Sequence, residues 1–286
     1  MKKSIRFLLP CIFLIVFTVA NNTQFGSINA QDIEKYYFPL IEHDVPLDVN
    51  FSSIGPDGGT VECVVIDPAD SSIVYAGTWG NGVYKSFNGG TTWEQKAAGF
   101  RSGFIFDLAV DPNDSNHILA SAYSYGVYES FNGGDSWQPT VGMPEETVVY
   151  ALSFNPDKLN IVYAAVRERT TYSPDPHYPG GVYKSTNGGS NWTQKSAGLP
   201  DDYVYDIAVD PNTTNTLYVA MHKTGVYKSQ NAAESWFSVN NNIHYRDIRS
   251  IDINPDNSDV YVAMYDGKGA AYLPHGSSNW VPISSA

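Results

Sequence analysis

Short apolar runs recur along the chain, each closed by Asp-Pro, Asn-Pro, Gly or Asn-Gly. One stretch shows the pattern: F-I-F-D-L-A-V (Phe104–Val110), H-I-L-A-S-A-Y (His117–Tyr123), G-V-Y-E-S-F (Gly126–Phe131) and S-W-Q-P-T (Ser136–Thr140). Runs this short, rich in β-branched and aromatic residues and bounded by turn formers, predict strands and leave no room for a helix. The same four-run pattern then repeats.

Four segments carry nearly one text: G-V-Y-K-S-F-N-G-G-T-T-W (Gly82–Trp93), G-V-Y-E-S-F-N-G-G-D-S-W (Gly126–Trp137), G-V-Y-K-S-T-N-G-G-S-N-W (Gly181–Trp192) and G-V-Y-K-S-Q-N-A-A-E-S-W (Gly225–Trp236); an eroded fifth ends at Trp280. The tryptophans are spaced by 44, 55, 44 and 44 residues. Asp67-Pro68, Asp111-Pro112, Asn155-Pro156, Asp210-Pro211 and Asn254-Pro255 keep the same beat, and the 11 extra residues of the third repeat fall in Arg167–Gly180. Two markers in register at a period in the forties mean a repeat architecture. Four strands per unit of this length predict an all-β fold, a β-propeller with four-stranded blades and five units. Val49 stands as far before Asp67 as Trp93 does before Asp111, so Val49–Ile54 reads as one extra outer strand. Two arrangements accommodate it: a five-bladed ring using it as a clasp, or a run of blades from a larger propeller.

The Ser-x-Asn-x-Gly-x-x-Trp element predicts a turn whose Asn and Gly take positive φ, whose Ser and Asn bond the local backbone, and whose Trp packs between blades. It resembles the Asp-box of bacterial sialidase-like repeats, with Asn88, Asn132, Asn187 and Asn231 where that motif usually has Asp. The resemblance covers Gly55 to the C-terminus. Families that carry it include sialidases, xyloglucanases, the sortilin ectodomain and the photosystem II assembly factor, so it implies a fold and leaves the function open.

The N-terminus stands apart. Lys2, Lys3 and Arg6 precede an almost wholly apolar Phe7–Ala20, the n- and h-regions of a secretory signal peptide. We divide the chain into a leader at 1–30, an extension at 31–48 and the propeller at 49–286, and expect a secreted or periplasmic protein without membrane insertion after cleavage. Past the leader only Cys63 remains, so no intrachain disulfide forms. Net charge is −13, with no basic run, which argues against nucleic acid. No metal or cofactor motif occurs. The expected partners are a glycan or an exported protein, and the expected state is a monomer.

Candidate chemistry follows from the repeat offset. Twelve residues after each Asp/Asn-Pro stand Trp79, Tyr123, Arg167, His222 and Asp266. Five different side chains at one loop position suit ligand discrimination, and Trp79 is the tryptophan off the repeat's beat. With Tyr125, Arg169 from the insertion and Tyr245 from a blade-to-blade loop, Trp79, Tyr123, Arg167 and His222 form the expected binding set, at the channel mouth opposite the Asn-Gly turns. Aromatics beside arginines offer stacking and directional donors. For catalysis, the stretch Ile54–Tyr84 resembles the first blade of a xyloglucanase, in which a catalytic aspartate follows the threonine of the second strand; here that place holds Trp79. The F/Y-R-I-P motif of sialidases is absent. Asp107 and Asp206, in F-D-L-A-V-D-P and Y-D-I-A-V-D-P, are the remaining catalytic candidates, weighed against a purely structural role. The reading is a non-catalytic binding module, with a glycoside hydrolase as the alternative.

Overall fold

The computed structural model describes residues 55–56, 59–144, 147–167 and 180–283. The first blade is β1 (Thr60–Ile66), β2 (Val74–Trp79), β3 (Gly82–Ser86) and β4 (Glu94–Gln95). The second is β5 (Ile105–Asp111), β6 (Asp114–Ala122), β7 (Gly126–Ser130) and β8 (Gln138–Pro139). The third is β9 (Val148–Phe154), β10 (Val162–Arg167), β11 (Gly181–Ser185) and β12 (Thr193–Gln194). The fourth is β13 (Val204–Val209), β14 (Leu217–Met221), β15 (Gly225–Ser229) and β16 (Phe237–Ser238). The fifth is β17 (Ile248–Ile253), β18 (Val260–Met264), β19 (Ala270–Leu273) and β20 (Val281–Ile283). Each blade is an antiparallel meander in chain order, and the described residues contain no helix. The expected five blades of four strands are present.

Blades stack through their apolar faces. One core cluster joins Cys63, Tyr75 and Val83 of the first blade to Ile105, Leu108, Ile118 and Trp137 of the second; another joins Tyr218 and Ala220 of the fourth to Ile251, Val262 and Trp280 of the fifth. A single blade cannot cover both of its faces, so each neighbour completes the other's core. The innermost strands pack in sequence, β1 on β5, β5 on β9, β9 on β13 and β13 on β17. The two ends of this series are less covered. Ile66 on β1 is 41% exposed, and Ala263 on β18 is exposed where its counterparts Ala220 and Ala165 are fully buried. The fifth blade fills its outer position with its own β20, so the described blades exchange no strand. The extra strand at Val49–Ile54 lies outside the described residues.

The repeated turn makes the expected Ser and Asn bonds to its own backbone, but positive φ falls on the two residues after the Asn and not on Asn88, Asn132, Asn187 or Asn231 as the sequence predicts. In the first, the Gly90 amide donates to Ser86 Oγ at 2.8 Å and the Thr92 amide to Asn88 Oδ1 at 2.8 Å. The same two bonds recur around Ser130–Asn132, Ser185–Asn187 and Ser229–Asn231. Gly89 and Gly90 take φ of 66° and 93°; the fourth turn places Ala232 and Ala233 there, at 57° and 70°. A Cβ in that conformation costs about 1–2 kcal/mol. Ala232→Gly is therefore expected to stabilise the protein by about 1 kcal/mol, and Gly89→Ala, whose new Cβ meets nothing within 4 Å, to destabilise it by about the same. Urea unfolding of the two variants checks both signs.

A second device holds blade to blade. The indole of Trp137 donates to the Lys96 carbonyl (2.9 Å), that of Trp236 to Lys195 (2.8 Å) and that of Trp280 to Val239 (2.6 Å), while Trp192 reaches Thr140 Oγ1 (3.1 Å). Each acceptor belongs to the preceding blade. The tryptophans of the second to fifth repeats are thus latches as well as core residues.

Candidate functional site

The meander sorts its turns onto two edges. The β1–β2 and β3–β4 turns share one edge, tied by the Gly89 amide on the Ser72 carbonyl at 2.8 Å, and three later blades repeat the tie. The β2–β3 turn and the entry to each innermost strand fall on the other edge, where the Tyr123 amide donates to the Phe104 carbonyl and the His222 amide to Tyr203. The near-identical Asn turns occupy the first edge. Variable residues occupy the second.

Every innermost strand carries a β-bulge at one repeat position. Register slips between Val61 and Cys63, Ile105 and Asp107, Val204 and Asp206, and Ile248 and Ser250; in the third blade the extra residue is Tyr150. A bulge sets one residue out of the pleat and re-aims its side chain. The five residues so placed are Glu62, Phe106, Tyr150, Tyr205 and Arg249, all half-buried.

With the edge residues they make a continuous aromatic lane across the blades. Trp79 lies 4.8 Å from Phe104, 5.5 Å from Phe106 and 6.0 Å from Tyr123, measured between ring centres. Phe106 then meets Tyr150 at 5.2 Å, and Tyr150 meets Tyr205 at 5.1 Å. Tyr205 lies 5.7 Å from His222, which stacks on Tyr203 at 5.0 Å. Two guanidinium groups sit on these rings, Arg167 4.7 Å above Tyr203 and Arg249 4.1 Å above both Tyr205 and Tyr265. Trp79 is 44% exposed and Tyr123 39%, so the lane opens to solvent at its first end.

The charges along it are held in place. Burial would lower the Arg167 pKa, but the phenol oxygens of Tyr150 and Tyr203 outweigh that and raise it; Arg167 Nη1 bonds the Tyr150 hydroxyl at 3.2 Å. Arg249 Nε lies 3.0 Å from Asp247. Burial is the main cause that pushes the Tyr205 phenol up to about 12, with Arg249 opposing, so it stays a neutral donor at physiological pH. His222 lies between Asp202 at 3.4 Å and Asp247 at 3.9 Å. At the first-blade position burial raises the Glu62 pKa. The lane thus offers flat apolar faces, fixed cations and hydroxyl donors, the groups that stack on and orient a polar ring.

Of the expected binding residues, the structure gathers Trp79, Tyr123, Arg167 and His222 on this edge. Tyr125 stands beside them, 48% exposed on the β6–β7 turn. Tyr245, half-buried, sits under the Lys268 ammonium at 5.9 Å in the loop before β17. Arg169 lies outside the described residues. In the fifth blade the equivalent residue is Tyr265 rather than Asp266: its amide donates to Asp247 as Tyr123 does to Phe104, because the Asn254-Pro255 turn is one residue shorter. The catalytic candidates are placed elsewhere. Asp107 is buried and accepts the Leu152 amide of the next blade at 2.7 Å; Asp206 is buried and accepts the Ile251 amide at 2.9 Å and the Ser250 hydroxyl at 3.1 Å. Both tie the next blade's innermost strand beside its bulge, where a freed backbone N–H needs an acceptor. Each carboxylate thus accepts a main-chain amide of the next blade's innermost strand.

Sequence reasoning missed Phe104, Phe106, Tyr150, Tyr203, Tyr205, Arg249 and Tyr265. A signal for the bulge residues exists, since each stands five places before its Asp/Asn-Pro. Among the described residues no group of three His, Cys, Asp or Glu is placed to hold a metal. A shallow hollow on the far edge is lined by Lys184, Asn187, Lys195 and Glu234; its charges are already paired, Lys195 with Glu234 at 2.6 Å.

No protein-family model matches the chain, and no curated protein matches its sequence. Solved structures do match. An ancestral GH74 enzyme aligns over 79% of this chain and 31% of its own, with 28% identity and a TM-score of 0.66. The GH74 xyloglucanase from Xanthomonas campestris aligns over 77% and 38%, with 16% identity and a TM-score of 0.63. YCF48 bound to D1 peptide aligns over 74% and 63%, with 14% identity and a TM-score of 0.54. The chain therefore spans about a third of the GH74 enzymes it resembles. The β-propeller fold is the common ground.

Proposed function

We propose that this chain is an exported, non-catalytic propeller that binds an extended glycan along the aromatic lane. The observation that carries the reading is the unbroken ring contact from Trp79 through Phe106, Tyr150 and Tyr205 to His222, flanked by Arg167 and Arg249. Sugar rings stack on such faces, while the guanidinium groups favour hydroxyls and carboxylates. Export rests on the basic-then-apolar N-terminus, and mass spectrometry of the mature N-terminus tests it: an intact Met1 in the exported protein overturns cleavage.

The glycoside-hydrolase reading draws on the 28% identity to an ancestral GH74 enzyme. Against it stands the use of Asp107 and Asp206 as backbone acceptors, since an inverting glycosidase needs two carboxyl groups facing the scissile bond with room for a water. A protein segment is the other ligand class, and the YCF48 neighbour was solved with D1 peptide. A glycan and peptide array on the mature protein, followed by a sugar-release assay on each polysaccharide that binds, separates the three. We expect glycan retention without sugar release. Release that is lost in Asp206→Asn would establish the hydrolase.

A further inference from the structure

Taking the aromatic lane as the binding face, as proposed above, we infer that its ligand is an acidic glycan of the uronic-acid class, with a carboxylate docked on Arg167. Three basic groups touch the rings of the lane, and two have carboxylates of their own. Asp247 faces Arg249 with both oxygens, at 3.0 Å from Nε and 3.3 Å from Nη2. His222 lies 3.4 Å from Asp202 and 3.9 Å from Asp247. Arg167 differs. Its polar neighbours are the phenols of Tyr150 and Tyr203, and among the described residues no carboxylate pairs with it. Half-burying a cation without a counter-ion is unfavourable, and Arg249 shows that this fold supplies a carboxylate where the charge is to be neutralised internally. Tyr150 takes one N–H of the guanidinium fork, and the fork's planar geometry suits a carboxylate.

The groups around Arg167 are donors. The Tyr150 oxygen accepts from Arg167, which leaves its own proton to donate. The Tyr205 ring lies 5.1 Å from that of Tyr150, and its phenol, pushed up to about 12 mainly by burial, keeps its proton. The nearby carboxylates are engaged: Asp202 accepts the Lys223 amide at 2.8 Å and the Thr224 hydroxyl at 3.1 Å, and Asp247 faces Arg249. A carboxylate accepts several hydrogen bonds and brings no proton that needs an acceptor, whereas a neutral hydroxyl brings one. Position favours a glycan over a protein terminus. The Arg167 site lies in mid-lane, with Phe106 and Trp79 beyond Tyr150 on one side and His222 beyond Tyr205 on the other. The acid must therefore be carried within a chain whose rings stack on both sides of it, as in a polyuronate.

The test uses oligomers of polygalacturonate, alginate and hyaluronate, each beside its carboxyl-reduced form, titrated calorimetrically into the mature protein. Reduction keeps the linkage and the ring and replaces the carboxylate with a neutral hydroxymethyl group. At least one acidic oligomer should bind, its reduced form at least about tenfold more weakly, as the loss of a charged hydrogen bond implies. Arg167→Gln should weaken the acidic oligomer by a similar factor and leave the affinity for the reduced form unchanged. Failure of all three acids to bind overturns the inference, as does equal binding of acid and reduced form. Neutral binding that is lost in Trp79→Ala would overturn it while upholding the lane as a glycan site; no binding of any glycan would remove both. A peptide with a free terminal carboxylate that binds where no polyuronate does would overturn it in favour of a protein ligand.

Discussion

Trp137→Ala should lower the stability of the protein by about 3–5 kcal/mol, the range for removing a buried aromatic. The side chain is 5% exposed, stacks on Phe100 at 4.8 Å and anchors its indole on Lys96. Three losses coincide: the apolar area, the ring contact, and a partner for a carbonyl that stays between blades. A loss of this size is a large part of the 5–15 kcal/mol that a typical domain possesses. Urea unfolding followed by far-ultraviolet circular dichroism measures it. Trp79→Ala should change the same midpoint little, because nearly half of that side chain is already in water. A midpoint shift as large for Trp79 as for Trp137 would make Trp79 a core residue and remove the first end of the lane.

Gly198→Ala should cost roughly 3 kcal/mol, combining a left-handed alanine with overpacking that has no flexible neighbour to yield. The group its Cβ would meet is the carbonyl of Trp236, main chain that is itself bonded to Ala197. Gly89→Ala shares the unfavourable φ but lacks the collision, so the difference between the two variants isolates the close approach of the blades. Equal effects would mean that the approach carries no energetic weight.

The fold was legible because its determinants are side chains that repeat: a tryptophan, an Asn-Gly turn and an Asp/Asn-Pro turn at constant offsets. The site was legible only where it sits on turns. Trp79, Tyr123, Arg167 and His222 stand out because a loop position that varies among blades is visible in an alignment of repeats. The bulge is marked by position alone, five places before each Asp/Asn-Pro, and by no residue type. Glu62, Phe106, Tyr150, Tyr205 and Arg249 differ in size, charge and polarity, and an alternating strand pattern assigns them to the pleat they in fact leave. Their neighbours Asp107 and Asp206 drew attention instead, since a carboxylate within an apolar strand suggests chemistry. Its actual partner, an amide of the next blade, depends on a contact between repeats that spacing does not display. Asp266 was assigned for a related reason: a turn shorter by one residue moves the equivalence to Tyr265.

The claim that the variable edge is the binding face is tested most directly by titration calorimetry with a glycan that the array identifies, comparing Trp79→Ala with Lys184→Ala on the opposite edge. A stacking aromatic supplies about 1–1.5 kcal/mol, so the first variant should bind about 5- to 12-fold more weakly while the second keeps the affinity of the unsubstituted protein. Unchanged binding by Trp79→Ala together with a loss in Lys184→Ala would contradict the account and move the site to the edge of repeated turns.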